Sequence, residues 1–191
     1  MKVTTESGFS RRSIPEGTHV GTLVQIIDLG EQLNLFSEVE GATQRKLYLT
    51  FEIPSEKLDD GRPMVIGKEL TASFHSKSRL RPIVESLLGR TLKEGDLADA
   101  TQTLKSTLGK SAFVEVEQVA TQKGGKFSKI KNIMKLSKGL SVESPYNDLL
   151  FFDLDGENAE QALESLPRFI QNKIASGIGR VVPNTNSELD L

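Results

Sequence analysis

From Lys46 to Ile53 the chain alternates without interruption. Leu47, Leu49, Phe51 and Ile53 are apolar, and Lys46, Tyr48, Thr50 and Glu52 lie between them. A period of two sends successive side chains to opposite sides of an extended strand, so this segment has one face for a core and one for water. A helix would scatter both sets around its circumference. This stretch therefore commits the chain to a sheet covered on one side, and neighbouring segments must supply the cover. Pro54 is expected to end the strand, and Asp60-Gly61-Arg62-Pro63 marks the turn after it.

Four further segments have strand character. Gly17 to Gln32 is dense in β-branched and aliphatic residues and reads as a long first strand, with Gly21 expected to place a bulge or bend. Gly30 to Thr43 reads as a polar connection. A third strand is expected from about Met64 to His75, with Leu70, Ala72 and Phe74 inward and Glu69, Thr71, Ser73 and His75 outward. Ala112, Val114 and Val116 alternate with Phe113, Glu115 and Glu117 in a fourth. The turn Lys123-Gly124-Gly125 then leads into a fifth, Lys126 to Leu136.

Between the third and fourth strands, Leu80, Ile83, Val84, Leu87 and Leu88 form the apolar stripe of a helix over Arg79 to Leu88. Ser78 is placed to cap it, Pro82 falls in its first turn, and Gly89 suits its C-terminal end. Residues 90 to 109 hold a second short helical piece ending at Gly109. This order predicts a mainly β fold: a five-stranded antiparallel OB-type barrel with one helix between strands 3 and 4, spanning residues 1–137. Residues 138–191 form a short helical C-terminal extension. It comprises a linker, the apolar run Leu149 to Leu154, amphipathic helices carrying Leu163, Leu166, Ile170 and Ile174, and a disordered end from Val181.

Charge is unevenly divided. The net charge is −2, yet residues 138–191 hold four basic and nine acidic side chains, leaving 20 basic and 17 acidic in residues 1–137. Between Gln118 and Val142 there are six lysines and no acid. A basic patch on a body with an acidic tail fits a polyanionic partner. The absence of cysteine removes disulfides and thiolate metal sites and suits the cytoplasm. No apolar run reaches the ~20 residues of a membrane span, and Met1 to Ser13 lacks the apolar stretch of a secretory leader.

The side chains that could carry function lie on the wet faces. Lys46 and Tyr48 share the polar face of the second strand, Phe113 points away from Val114, and Phe127 stands among Lys126, Lys129 and Lys131 if Ser128, Ile130, Asn132, Met134 and Leu136 face inward. Bases stack on rings for roughly 1–3 kcal/mol each while ammonium groups follow the phosphates. Lys68, His75, Lys77 and Arg79 extend this cationic set. The competing account packs the rings under loops and leaves the lysines as a solvated edge that blocks sheet aggregation. Asp153, Asp155 and Glu157 resemble the start of a calcium loop, but Gly156 comes too early and the late Glu is misplaced, so no metal is expected. Nothing pairs a nucleophile with a base, and neither an enzyme nor a cofactor is expected.

The segments Gly21-Thr-Leu-Val-Gln-Ile-Ile-Asp-Leu-Gly30, Lys46-Leu-Tyr-Leu-Thr-Phe-Glu52, Asp60-Gly-Arg-Pro63, Leu108-Gly-Lys110 and Leu166-Pro-Arg-Phe-Ile-Gln-Asn-Lys-Ile174 resemble phage-encoded single-stranded DNA-binding proteins with an OB fold. The resemblance covers most of residues 17–176. It implies binding and protection of single-stranded DNA in phage replication or recombination, in the cytoplasm of a bacterial host. The C-terminal region is a candidate to recruit replication or recombination proteins, with plain disorder of the tail as the competing and favoured reading, and because single-strand binders often pair barrels a homodimer is the assembly to test. One departure stands out: bacterial relatives end in an acidic tip closed by Pro-Phe, whereas this chain ends Ser187-Glu-Leu-Asp-Leu191. The alternative function is a protein-interaction module using the barrel and the helix around Phe169 and Ile170.

Overall fold

The computed structural model describes residues 13–121, 124–140 and 142–178. The long first strand, β1 (Gly17–Leu33), organises the rest. Its first residues pair antiparallel with β4 (Ser111–Ala120), and from Thr22 onward it pairs antiparallel with β2 (Thr43–Lys57). β3 (Pro63–Thr71) adds to β2 and β5 (Lys126–Lys135) adds to β4, so the path across the sheet is β3-β2-β1-β4-β5. The pairing register of β1 with β2 shifts twice, at Val24 and at Leu29, irregularities of the kind that bend a long strand.

Alternation sorts the interior as expected in β2 and β4. Leu47, Leu49, Phe51, Ile53, Ala112, Val114 and Val116 are buried, and Leu80, Ile83, Val84 and Leu87 of α1 (Leu80–Leu88) join them in one core. The Ser78 hydroxyl accepts from the amides of Leu80 and Arg81 at 3.1 and 3.4 Å, and Gly89 closes the helix at φ 69°. The chain then forms the short α2 (Glu94–Ala98) and α3 (Ala100–Lys105) before β4.

Several expectations are corrected. Among the described residues the strands number six, because β6 (Leu150–Phe152) pairs parallel with Gln25–Ile27 of β1. Among the described residues no ladder joins β3 to β5, so the hydrogen-bonded sheet stays open, although the two edges lie close together and the Lys68 ammonium donates to the Ile130 carbonyl across them at 2.6 Å. Pro54 does not end β2. It sits where the β2–β3 register breaks between Ile53 and Lys57, so its missing N–H costs no ladder bond. Gly21 is not a bulge: it pairs regularly with Ala112, and a Cβ there would fall 2.7 Å from Val114 Cγ2 and 2.9 Å from Ile53 Cδ1. Close approach of side chains across the core requires that glycine.

The strict alternation expected in β5 also fails. Asn132 pairs with Glu115 and Ile130 with Val116, which leaves Lys131 as an extra residue. This bulge turns Ile133 into the core at 5% exposure, while Asn132 faces solvent and Met134 is only partly covered. β3 ends at Thr71, so His75 belongs to the turn before α1 and not to a strand face.

The larger surprise is the outer face of β1 and β2. Ile27 and Leu29 pack there against Phe152, Leu154, Leu166, Ile170 and Ile174, contributed by β6, α4 (Ala159–Glu164), α5 (Arg168–Ala175) and their connections. Thr50 and Glu52, expected in water, are buried. Glu52, at 2% exposure, accepts from the amides of Tyr146 and Asn147 at 2.9 and 2.8 Å and from Asn147 Nδ2 at 2.6 Å. Residues 142–178 thus add β6 to the sheet and cover its outer face, forming a second core together with Ile27 and Leu29. The tail expected to be disordered from Val181 lies outside the described residues, as do the first residues of the Lys123 turn.

Candidate functional site

The edge strand β3, the turn leading into α1, and β5 surround two abutting grooves. The first, about 700 Å³, is lined by Lys46, Lys68, His75, Lys77 and Arg79 among others. The second, about 380 Å³, is lined by Lys68, Arg79, Lys129 and Lys131. Lys68 and Arg79 belong to both, so seven of the eleven side chains singled out from the sequence line one continuous cationic track. These residues are dispersed from position 46 to position 131, and the β2–β3 hairpin, the helix start and the β4–β5 hairpin bring them together.

Within the track the cations differ. Lys46 donates from Nζ to Thr71 Oγ1 at 3.2 Å. Lys129 lies 3.9 Å from Glu117, and Lys131 donates to Glu115 at 2.8 Å. The side chains of Lys77 and Arg79 make no hydrogen bond or ion pair among the described residues. His75 Nδ1 accepts the Lys77 amide at 3.2 Å, which fixes the turn that presents both. Lys68 is a special case. Because Leu70 points inward, parity places Lys68 on the core side of β3, opposite Leu49. Burial pushes its pKa below the ordinary lysine value, and the nearby charges of Arg79 and Lys129 push it the same way.

The aromatic candidates are placed differently. Tyr48 is half-buried on the outer face, where Phe169 of α5 meets it edge-on at 5.6 Å between ring centroids. Its ring also covers Gly67, where a Cβ would fall 2.1 Å from Tyr48 Oη. Tyr48 is therefore packed between its own hairpin and the extension and lines neither groove. Phe113 is partly covered between Val20 and Met134. Phe127 is 47% exposed beside Lys126 at the end of β5, paired with Val119 and outside both grooves. Of the helix face offered to a protein partner, Phe169 is half-exposed but Ile170 is 1% exposed and belongs to the second core.

One residue escaped the sequence reading. Gly30 to Thr43 looked like a plain polar connection, but β1 runs on to Leu33 and the loop after it exposes Leu35, Phe36 and Val39. Phe36 is 97% exposed and lines the first groove beside the lysines. The signal was available in Leu33-Asn-Leu-Phe36, an apolar run that fits neither strand nor helix burial. Elsewhere, the carboxylates of Asp28, Asp153 and Asp155 approach within 4.8 Å of one another. Arg45 lies among them, paired with Asp28 and with Asp155 at 2.5 Å, so a guanidinium supplies the positive charge there.

Comparison with protein-family models and with curated proteins finds no match to this chain.

Proposed function

We propose that the chain is a sequence-tolerant single-stranded DNA-binding protein, acting without catalysis in phage DNA replication or recombination inside the bacterial host. The observation that carries this reading is the continuous track formed by the two grooves that share Lys68 and Arg79. Cations in a line, two of them without a side-chain partner among the described residues, suit a flexible polyanion better than a compact ligand. The strand path β3-β2-β1-β4-β5 is compatible with an OB-type barrel, in which the face of the second and third strands and the loops between strands 1 and 2 and between strands 4 and 5 hold oligonucleotides. Burial of Ile170 weakens the alternative of a helix-face protein interface.

The test is fluorescence anisotropy with labelled oligo-dT and with a duplex of equal length at two salt concentrations. Tight, salt-sensitive binding of the single strand is expected, with little binding of the duplex. The double variant K77E/R79E should lose most of that affinity while unfolding at the same denaturant concentration. No binding to either nucleic acid at low salt would sink the proposal.

A further inference from the structure

We infer that the Phe36 ring is a stacking platform of the first groove, taking an unstacked nucleobase whose flanking phosphates lie against Lys46, Lys77 and Arg79. The inference rests on the nucleic-acid reading above and adds the residue that would select single strands. The ring is 97% exposed, the most exposed of the large hydrophobic side chains described. The backbone that carries it is nevertheless tied down. The loop is closed at its base by the Asn34 amide donating to the Ala42 carbonyl at 2.8 Å. At its tip Asn34 accepts twice, from the Phe36 amide through Oδ1 at 3.3 Å and from the Ser37 amide through its carbonyl at 3.1 Å. The loop's acids, Glu38 and Glu40, do not line the groove, whereas Phe36 does; the acid that does line it, Glu69, is paired with Lys173 at 2.6 Å.

Chemistry selects the occupant. A ring beside ammonium and guanidinium groups matches a ligand that alternates flat π-faces with phosphates. In a duplex both faces of each base are already stacked, so this platform discriminates against it. A docking protein would more often meet an apolar surface depleted in lysine.

The chain contains no tryptophan, so F36W introduces a single indole reporter at the proposed contact. Oligo-dT should quench its emission at the concentrations where anisotropy reports binding. F36A should weaken oligo-dT binding about five- to 150-fold, the equivalent of one stacked base. F36L, apolar but without a ring, should be as weak as F36A. On an abasic oligonucleotide with the same phosphates, wild type and F36A should bind alike. Equal urea midpoints for all variants are expected from so exposed a site. If wild type binds oligo-dT but F36A binds equally well and the indole is not quenched, the platform is overturned and the cationic track stands. If F36L binds like wild type while F36A is weak, the contact is apolar and not stacking, which also overturns it. If wild type binds no single strand at all, the proposed function fails first and takes this inference with it.

Discussion

Gly67 lies under the Tyr48 ring, in a strand interior where glycine is otherwise unfavourable. Alanine there would force the ring off its seat, disturbing the contact with Phe169. G67A should therefore destabilise the protein by about 1–3 kcal/mol, the usual range for overpacking. In a Y48A background the same change should cost almost nothing. A double-mutant cycle of urea midpoints measures the difference, and additive effects would refute the account. Lys68 makes a second prediction at this scale. Its pKa is lowered from 10.5 in the fold, so the protonated side chain destabilises the native state at neutral pH. That cost disappears as pH rises through the lowered pKa toward 10.5. Wild type should thus gain stability relative to K68Q as pH rises from neutrality toward 10.5. A stability difference independent of pH over that window would mean that burial does not penalise the ammonium. The parity that puts Lys68 inward is legible beside Leu70, whereas its partial burial and its bond to the Ile130 carbonyl depend on β5 and are not.

At the scale of elements, what could be read depended on how regular each strand is. β2 and β4 keep a strict period of two opposite their buried residues, and their inward sets were legible residue by residue. β5 breaks the period at Lys131, and nothing local announces it, since Lys-Ile-Lys-Asn-Ile continues an apparent alternation with either Ile133 or Met134 inward. The partner strand settles the choice through the pairing of Glu115 and Val116. I133A should accordingly cost about 2–4 kcal/mol, whereas M134A should cost less than about 1 kcal/mol. Equal losses in urea unfolding would argue for a bulge elsewhere in the hairpin. The outer face of β2 was illegible for a different reason. Thr50 and Glu52 are polar, and Glu52 is buried because amide donors arrive from Tyr146 and Asn147, 94 and 95 positions away. Only tertiary structure can supply that information, although the apolar run Leu149 to Leu154 and the helical spacing after it did indicate elements able to cover a sheet.

At the scale of the whole molecule, the question is how much of the basic character reaches a ligand. Six cations line the two grooves: Lys46, Lys68, Lys77, Arg79, Lys129 and Lys131. The lysine run made this charge visible in the sequence, but not its neutralisation, because Glu115 and Glu117 come from the neighbouring strand and meet Lys131 and Lys129 across the ladder. Lys68 is engaged with the Ile130 carbonyl. The cations most readily offered to phosphates are then Lys46, Lys77 and Arg79. For a single strand each neutralised phosphate contributes about −0.7 to the slope of log K against log salt, so wild type should show a slope of about −2. Removing the two acids in E115Q/E117Q frees Lys129 and Lys131, raises the engaged set to five, and should steepen the slope to about −3.5 while tightening binding at low salt. Stability should change little, because exposed ion pairs of this kind are worth only about 0–1 kcal/mol. Anisotropy titrations of both proteins across a salt series test the argument. An unchanged slope would place the strand along the β3 edge alone, leaving β5 outside the footprint. A steeper one would carry the footprint across the seam between β3 and β5, with Glu115 and Glu117 setting how tightly the second groove holds its phosphates.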